Sequence, residues 1–263
     1  MNVFDLNNSF TTANIQVPVE SIIDKMNEEI GKIAKSDKTR EEKTEEIIRA
    51  VSVTTEERHR IEAETKEQSE NYLWMKAREK RISASKCHRV IAFTNRTSGQ
   101  VLVNEIIKPK SFSTAATQFG IQHEPLAITR YSEYREAKGE NITVEKCGLV
   151  ISLENGFLAA SPDGVITEPN SEKGLLEVKV LPSWSDIPLV QACKNSKYPV
   201  KECTEIVNGK PEKVLRLKKS HQYYHQVQLQ LYCCQHFAKF VDFVILHVNL
   251  GEMHIERIFP DLE

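Results

Sequence analysis

The sequence lacks the features of a membrane-spanning or disulfide-bonded protein. No segment approaches the roughly 20 apolar residues that are needed to cross a bilayer. The first residues include neither the basic region nor the apolar region of a signal peptide. The six cysteines form no C-x-x-C pair, which argues against a disulfide framework, a zinc site and an iron–sulfur cluster. We therefore expect reduced thiols in an intracellular protein, in the nucleus or the cytoplasm, with no membrane partner.

A strong net charge is absent as well. The 263 residues carry a formal net charge of −2, which does not by itself indicate nucleic acid as a partner. Basic residues are nevertheless concentrated at 76–81 and 216–219. A charge run is usually a solvated face, but a cluster can neutralise phosphates while an acidic metal site lowers the overall charge. With 40% hydrophobic residues, the composition suits one globular domain of about 200 residues plus an extension.

The N-terminal part, residues 1–53, is predicted to be a charged helical extension. From about residue 19 to residue 50, isoleucines and Met26 lie among dense glutamates and lysines. This pattern predicts one or two charged helices with a break near Ser36-Asp37. Such a segment could be an interaction arm or a helical wrap around the rest of the chain. Residues 54–263 then form the main domain.

The main domain is predicted to be an α/β fold in which helices flank a mixed sheet. Helical patterns cover 55–72, begin again at about 114, and recur at 221–240, where apolar residues form a stripe at helical spacing. The stretch 182–219 is expected to be rich in loops, with a short helix near 185–196. Strand-like segments occupy 142–152, 156–160, 163–167, 174–180, 241–249 and 253–259.

The most informative stretch is Ser161-Pro162-Asp163-Gly164, which is followed by a strand-like run at 175–180. Alternation along a strand puts Glu177 and Lys179 on one face and the apolar residues on the other. A carboxylate and an ammonium group in an apolar strand are costly to bury unless something uses them. Together with Asp163 they could hold a hard divalent cation and steer a water molecule, as phosphodiester hydrolysis requires.

Each of these fragments also has a simpler interpretation. Pro-Asp-Gly alone is most often a turn, because proline presets φ and glycine tolerates a positive φ. Glu-x-Lys alone is most often a cross-strand or surface pair. It is their order, with a turn between two strands, that favours a functional interpretation.

This order resembles the PD-(D/E)XK nuclease signature, and further motifs are similar to the lambda-exonuclease/YqaJ-like viral recombinase family. Gly120-Ile121-Gln122-His123-Glu124 precedes the core, and Gln226-Val227-Gln228 follows it. Trp74-Met75-Lys76-Ala77-Arg78 and Ile82-Ser83-Ala84-Ser85 resemble the N-terminal motifs of the family, with a serine in place of the usual threonine. The resemblance covers about residues 55–260 and implies a restriction-endonuclease-like core.

The resemblance also implies a metal-dependent active site. The metal would be Mg²⁺, with Mn²⁺ as a substitute, and its ligands would be oxygen atoms. Lys179 would orient or deprotonate the attacking water. Gln226 would hold Lys179 or the scissile phosphate. The residues that match the metal ligands of the family are Glu124, Asp163, Glu177 and, through its carbonyl oxygen, Val178.

By the same resemblance, Arg78, Ser85 and Ser161 would bind a terminal 5′-phosphate. An arginine fork and two hydroxyl groups suit a phosphate dianion, and such a pocket favours cleavage from a DNA end. The sequence departs from the family in two places. A further pocket arginine has no counterpart at 181–185, and an additional acidic residue is matched only loosely by Glu154. We therefore expect a partial preference for the 5′-phosphate.

The predicted function is that of a metal-dependent 5′→3′ exonuclease, which degrades linear double-stranded DNA and leaves 3′ single strands for recombination or repair. The resemblance implies DNA ends as the substrate, a single-strand annealing protein as a further partner, and a ring trimer. Two alternatives stay open: an endonuclease or RNA-directed nuclease of the same fold, and a catalytically weak domain that binds DNA or a recombinase. The presence of Asp163, Glu177 and Lys179 together argues against the second.

Overall fold

The computed structural model of the protein describes residues 17–94, 98–107, 114–207 and 209–261. Residues 1–16 of the predicted extension lie outside the described residues. Within these ranges, no helix is long and apolar enough to cross a membrane. The helices are α1 (Val19–Lys35), α2 (Arg40–Ala50), α3 (Thr55–Glu64), α4 (Tyr72–Arg78), α5 (Cys87–Ile91), α6 (Gly99–Ile107), α7 (Ala115–Ala137), α8 (Leu189–Ala192) and α9 (Gln222–Cys234).

The strands form one large sheet and two small ones. The large sheet has the order β10-β9-β6-β5-β2, in which β6 and β9 run parallel and the other neighbours run antiparallel. The small sheets are β1-β4-β3 and the β7–β8 hairpin. The predicted mixed sheet with flanking helices is thus confirmed. The strand bounds are β1 (Ile82–Ser83), β2 (Thr143–Glu145), β3 (Val150–Ile151), β4 (Leu158–Ala160), β5 (Gly164–Thr167), β6 (Lys173–Val180), β7 (Val200–Val207), β8 (Lys210–Leu217), β9 (Ala238–His247) and β10 (Glu252–Ile258).

Strand β6 lies at the centre of the large sheet, and helices cover both of its faces. On one face, Leu176 and Val178 share a buried cluster with Tyr131 of α7. On the other face, Leu175 shares a buried cluster with Leu231 of α9. This division follows from the alternation of side chains along a strand. It also places Glu177 on the α9 face, as the sequence predicted.

Helix α1 packs against the main domain through one apolar stripe. Ile23 and Met26 are buried in a cluster that also contains Leu149. The buried Arg81 joins the main domain to the extension, because its Nη2 contacts Sδ of Met26 in α1 at 3.3 Å and donates a hydrogen bond to the carbonyl of Val51, just after α2, at 2.8 Å. The division of the chain at residues 53 and 54 stays a prediction. The packing implies that the main domain gains stability from the extension.

The sequence predicted some element ends correctly, but the helix expected over 55–72 ends at Glu64, the strand expected over 142–152 is two short strands, β2 and β3, and one hairpin was missed. The break near Ser36-Asp37 separates α1 from α2, and α8 lies within the short helix expected near 185–196. The loop-rich stretch expected over 182–219 contains β7 and β8, which pair along their whole length. Charged residues on both strands obscured the alternation. Asn208-Gly209 is a typical hairpin sequence, and the φ angle of Gly209 is +78°.

The helix that was expected over 221–240 is shorter. It ends at Cys234, and β9 begins at Ala238. The parallel pairing of β9 with β6 begins there, with Ala238 opposite Lys173. The apolar residues at 238 and 240 therefore belong to the sheet, although their spacing also fits the helical stripe.

Candidate active site

Asp163 is held immediately before β5 by two hydrogen bonds to β6. Its backbone N–H donates to the carbonyl of Leu176 at 3.0 Å, and its Oδ2 accepts from the N–H of Val178 at 2.7 Å. Regular pairing of β5 with β6 begins only at Gly164. The Asp163 carboxylate therefore accepts the hydrogen bond from Val178 in place of a backbone carbonyl. The N–H and C=O groups of one strand residue point to the same edge. The Val178 carbonyl therefore lies on the edge that Asp163 occupies.

Glu177 is buried between β6 and α9, with 1% of the residue exposed. Its Oε1 accepts from Nε2 of Gln226 at 2.6 Å and also contacts the ammonium group of Lys179. Its Oε2 accepts from Nε2 of Gln230 at 2.5 Å. Residues four apart lie on one face of a helix, so both glutamines reach the same carboxylate. In this structure Gln226 therefore holds Glu177. The resemblance had implied that Gln226 would hold either Lys179 or the scissile phosphate.

Lys179 lies on the same face of β6 as Glu177. Its ammonium group is 5.0 Å from the centre of the Tyr223 ring, within the range of a cation–π contact. Burial lowers the pKa of Lys179, but the charges of Glu177 and Asp163 raise it by more, and the net shift is upward. The protonated form is thus the stable one in this arrangement.

Glu124, on α7, completes a group of three carboxylates. Burial and the charge of Glu177 raise its pKa. Burial raises the pKa of Asp163 well above its ordinary value, and Glu177 adds to this effect. Among the described residues, the three carboxylates have one nearby positive charge, the ammonium group of Lys179. The site therefore has an excess of negative charge that a divalent cation would neutralise. Their oxygen donors also suit a hard cation.

The three carboxylates are not gathered around one point. Across the described ranges, no group of three or more histidine, cysteine, aspartate or glutamate side chains is arranged to hold a metal ion. Both oxygens of Glu177 are engaged by glutamine amides. The carboxylate oxygens of the site are chemically suited to a divalent cation. In this structure, Glu177 instead accepts hydrogen bonds from protein side chains.

A groove of about 430 Å³ opens beside two of these carboxylates. Glu124 and Asp163 line it, together with Gln68 and Ile128. Gln68 closes one wall, because its Nε2 donates to the carbonyl of Pro162 at 2.8 Å. The groove gives a ligand access to Asp163 from the side of α7.

The three residues predicted to bind a 5′-phosphate are connected through Trp74. The Nε1 of Trp74 donates to Oγ of Ser161 at 2.8 Å. The guanidinium of Arg78 lies 3.9 Å from the centre of a Trp74 ring. Nη2 of Arg78 donates to Ser83 at 3.1 Å and to Ser85 at 3.4 Å. Burial lowers the pKa of Arg78 to about 10, so the side chain stays charged at neutral pH.

Sequence reasoning gave no site role to Gln230, Trp74 or Ser83. The signal for Gln230 was its spacing of four residues from Gln226. Trp74 and Ser83 lay inside motifs that were recognised as blocks. Glu154, the loosely matching acid, binds elsewhere: its carboxylate accepts from Tyr232 at 2.8 Å and from Gln235 at 3.1 Å. These two partners lie at the C-terminal end of α9 and just beyond it.

Comparison with known proteins gives a family and a fold. A family model described as viral alkaline exonuclease matches residues 8–182. The alkaline nuclease of Orgyia pseudotsugata multicapsid polyhedrosis virus is 28% identical over 201 residues, which are 71% of this chain and 43% of that protein. The chain therefore spans less than half the length of this curated relative.

Solved structures resemble the fold. LHK-Exo in complex with dAMP is 24% identical with a TM-score of 0.50, and the match covers 73% of this chain and 83% of that one. LHK-Exo is an alkaline exonuclease from Laribacter hongkongensis. The shutoff and exonuclease protein of Kaposi's sarcoma-associated herpesvirus is 13% identical with a TM-score of 0.48, over 89% of this chain and 74% of that one. The likeness to LHK-Exo confirms the predicted PD-(D/E)XK core.

Proposed function

This chain belongs to the viral alkaline exonuclease family, and from that premise we propose that it hydrolyses linear double-stranded DNA from its ends. The proposed direction is 5′→3′, which leaves 3′ single strands for recombination or repair. A single-strand annealing partner and a ring trimer belong to the same proposal, on the resemblance alone.

The observation that carries the proposal is the placement of a fully buried acid beside a second one. Glu177 is 1% exposed, and Asp163 is tied to the residue that follows it in β6. A buried carboxylate is costly unless its charge is compensated, and Lys179 is the ion-pair partner of Glu177 among the described residues. A site that binds a cation beside a phosphate accounts for the excess of carboxylates over basic groups at this position.

We assign Mg²⁺ to this centre, with Mn²⁺ as a substitute. Asp163 and Glu177 would hold it, together with Glu124 and the carbonyl of Val178. A bound divalent cation supplies a water of lowered pKa and neutralises charge on the phosphate. The chain contributes the rest: Gln226 fixes the Glu177 carboxylate, and Lys179 directs its positive charge to the place where the attacking water meets the phosphate.

We assign the 5′-phosphate to the cluster formed by Arg78, Ser85 and Ser161. Trp74 presses on one face of the Arg78 guanidinium, so the arginine loses little conformational entropy when it binds an anion. The hydroxyl of Ser161 accepts a hydrogen bond from Trp74, and the hydroxyl of Ser85 accepts one from Arg78 and lies 3.3 Å from the hydroxyl of Ser83. A serine hydroxyl that accepts such a bond can still donate its proton to a phosphate oxygen. A phosphate bound at this cluster would favour cleavage from a DNA end.

The second candidate is an endonuclease of the same fold. The observation that favours it is the segment 181–185, which follows β6 and contains no arginine. In its place are a short 3₁₀ turn and Trp184, which packs against Tyr198. A phosphate cluster with fewer cations discriminates less strongly between an end and an internal bond.

The test compares end-labelled linear duplex with closed circular duplex of the same sequence, in Mg²⁺ and in excess chelator. The proposal predicts Mg²⁺-dependent release of label from the 5′ end and intact circles. Efficient cutting of closed circles would replace the proposal with the endonuclease. Hydrolysis from the 3′ end would reverse the proposed direction.

A further inference from the structure

A second cavity, of about 330 Å³, lies on the far side of strand β2 from the groove beside Asp163. It is lined by side chains of α3, by Lys173 at the start of β6 and by His236 just beyond α9. Lys66 and Lys146 line both cavities. The two cavities are therefore neighbours on the surface of the protein.

Arg58, on α3, lines the cavity and forms no ion pair with a carboxylate of the described residues. The residue is 3% exposed. Its Nη1 is 3.2 Å from Nδ1 of His236, and its Nη2 is 3.2 Å from Nε2 of His59. Its Nε is buried without any hydrogen-bond partner. Among the described residues no carboxylate forms an ion pair with it, so a buried guanidinium is left with an unused donor.

The other charges of the cavity are mainly positive. Lys66, Lys146 and Lys173 line it together with Arg58, against the carboxylates of Glu62 and Glu145. Lys146 pairs with Glu67 outside this lining, at 2.5 Å. Nζ of Lys66 lies 4.0 Å from Oε1 of Glu62. Among the described residues, Arg58 and Lys173 are the cavity cations that form no ion pair, and their charge favours an anion.

We propose that the Arg58 cavity binds the phosphate group of a nucleotide. A guanidinium matches phosphate oxygens through parallel N–H donors. The volume of 330 Å³ exceeds the needs of a bare ion and falls at the lower end of the range of roughly 300–1,000 Å³ that small-molecule sites occupy. The same chemistry recognises a free deoxynucleoside monophosphate and a phosphate within a DNA strand.

The proposal predicts a distinctive effect of replacing Arg58 by methionine, which keeps the length of the side chain and removes its charge. A buried charge without a counter-ion destabilises the free protein. The Arg58→Met protein should therefore melt at the same temperature as the wild type, or higher, in phosphate-free buffer. Because the Arg78 cluster would also bind a 5′-phosphate, this comparison is made in the Arg78→Ala background. Added deoxynucleoside monophosphate should raise the melting temperature of the Arg78→Ala protein and not that of the Arg58→Met/Arg78→Ala double variant.

Binding is measured by calorimetry on the full chain in excess chelator, with deoxyadenosine monophosphate and, separately, a short oligodeoxynucleotide without terminal phosphates. Chelator stops hydrolysis, so the result does not depend on the proposed nuclease activity. Arg58→Met should lose about tenfold or more in affinity. Binding of the mononucleotide identifies a free nucleotide as the ligand, and an Arg58-dependent oligonucleotide signal alone identifies the DNA strand.

Two comparisons make the test specific. The first is Arg78→Ala, which removes the other phosphate cluster and should leave Arg58-dependent binding unchanged. The second pairs Lys173→Gln, at the rim, with Lys239→Gln, an exposed lysine on β9 outside the cavity. Only Lys173→Gln should weaken binding, by a few-fold. Equal affinities of wild-type and Arg58→Met protein for both probes, or a melting temperature that falls equally in every buffer, would overturn the proposal.

Discussion

Gln230 donates a hydrogen bond to Oε2 of Glu177 at 2.5 Å, although the two residues are 53 positions apart in the chain. Gln230 is fully buried, and its own Oε1 has no partner. A polar side chain in this situation is retained for the bond that it makes. The contact links the orientation of the Glu177 carboxylate to the packing of α9 on β6.

Gln230→Leu should therefore impair both catalysis and stability. The loss of one donor to a buried carboxylate lowers the free energy of unfolding by about 1–3 kcal/mol and lowers kcat by about tenfold or more. Gln222→Leu, an exposed position on the same helix, is the matched control and should change neither. Single-turnover cleavage and chemical denaturation measure the two effects. A variant with normal kcat and lower stability would show that Gln230 is only structural.

Trp74→Phe separates two contacts of the phosphate cluster. Phenylalanine keeps an aromatic ring beside Arg78 but removes the hydrogen bond from Nε1 to Ser161. We expect the ratio of cleavage rates on 5′-phosphorylated and 5′-hydroxyl ends to fall by a few-fold, and to fall by about tenfold in Arg78→Ala, because a charge-assisted bond is stronger than a neutral one. An unchanged ratio in Arg78→Ala would remove this cluster from phosphate recognition.

Helix α1 should contribute to the stability of the main domain. Ile23→Ala removes a buried side chain and should lower the free energy of unfolding by about 2–4 kcal/mol. The exposed Ile48→Ala is the control and should have little effect. We expect the fragment 54–263 to fold with a lower melting temperature, because Arg81 loses its acceptor at Val51. A fragment as stable as the full chain would contradict the role of this packing.

The sequence predicted the candidate active-site strand β6 because its signals are local. Asp163 immediately precedes β5, and Glu177 lies in β6, which is joined to β5 by a short connection, so their order along the chain already predicts their proximity. The viral nuclease family and the PD-(D/E)XK core, which were predicted from the motifs, are confirmed by the comparisons. The assigned roles of the site residues stay predictions.

Contacts between distant segments could not be derived in the same way. The bond between Trp74 and Ser161 joins residues 87 positions apart and depends on how α4 docks against the sheets. Likewise, dense charge along α1 concealed a stripe that is buried only because the cluster around Leu149 meets it. The spacing of apolar residues in a sequence predicts which face of a helix is buried. It does not predict which part of the protein covers that face, because this depends on the assembled fold.

His221 should make the protein less stable in mild acid. Burial, with smaller effects from Lys218 and His88, lowers its pKa to about 4. Its Nδ1 accepts a hydrogen bond from the N–H of Tyr223 at the start of α9, at 3.2 Å. Between pH of about 6.5 and about 4 the unfolded state binds more protons than the folded state, so stability falls as pH falls through this window.

His221→Asn tests this effect, because asparagine caps a helix without titrating. The variant should lose less stability than the wild type between pH 7 and pH 5, by about 1 kcal/mol. Chemical denaturation at the two pH values gives the difference. Equal losses in both proteins would show that the acid sensitivity arises elsewhere.

The central claim is that Asp163 and Glu177 form a divalent-metal centre for DNA cleavage. It is tested most directly by single-turnover hydrolysis of a 5′-phosphorylated, end-labelled duplex by wild-type and Asp163→Asn protein across a Mg²⁺ titration. Asparagine can still accept the hydrogen bond from the N–H of Val178, so the fold should persist. The account predicts Mg²⁺-dependent cleavage by the wild type and a loss of about 10³-fold or more in the variant. Undiminished hydrolysis by Asp163→Asn, or by the wild type in excess chelator, would contradict it.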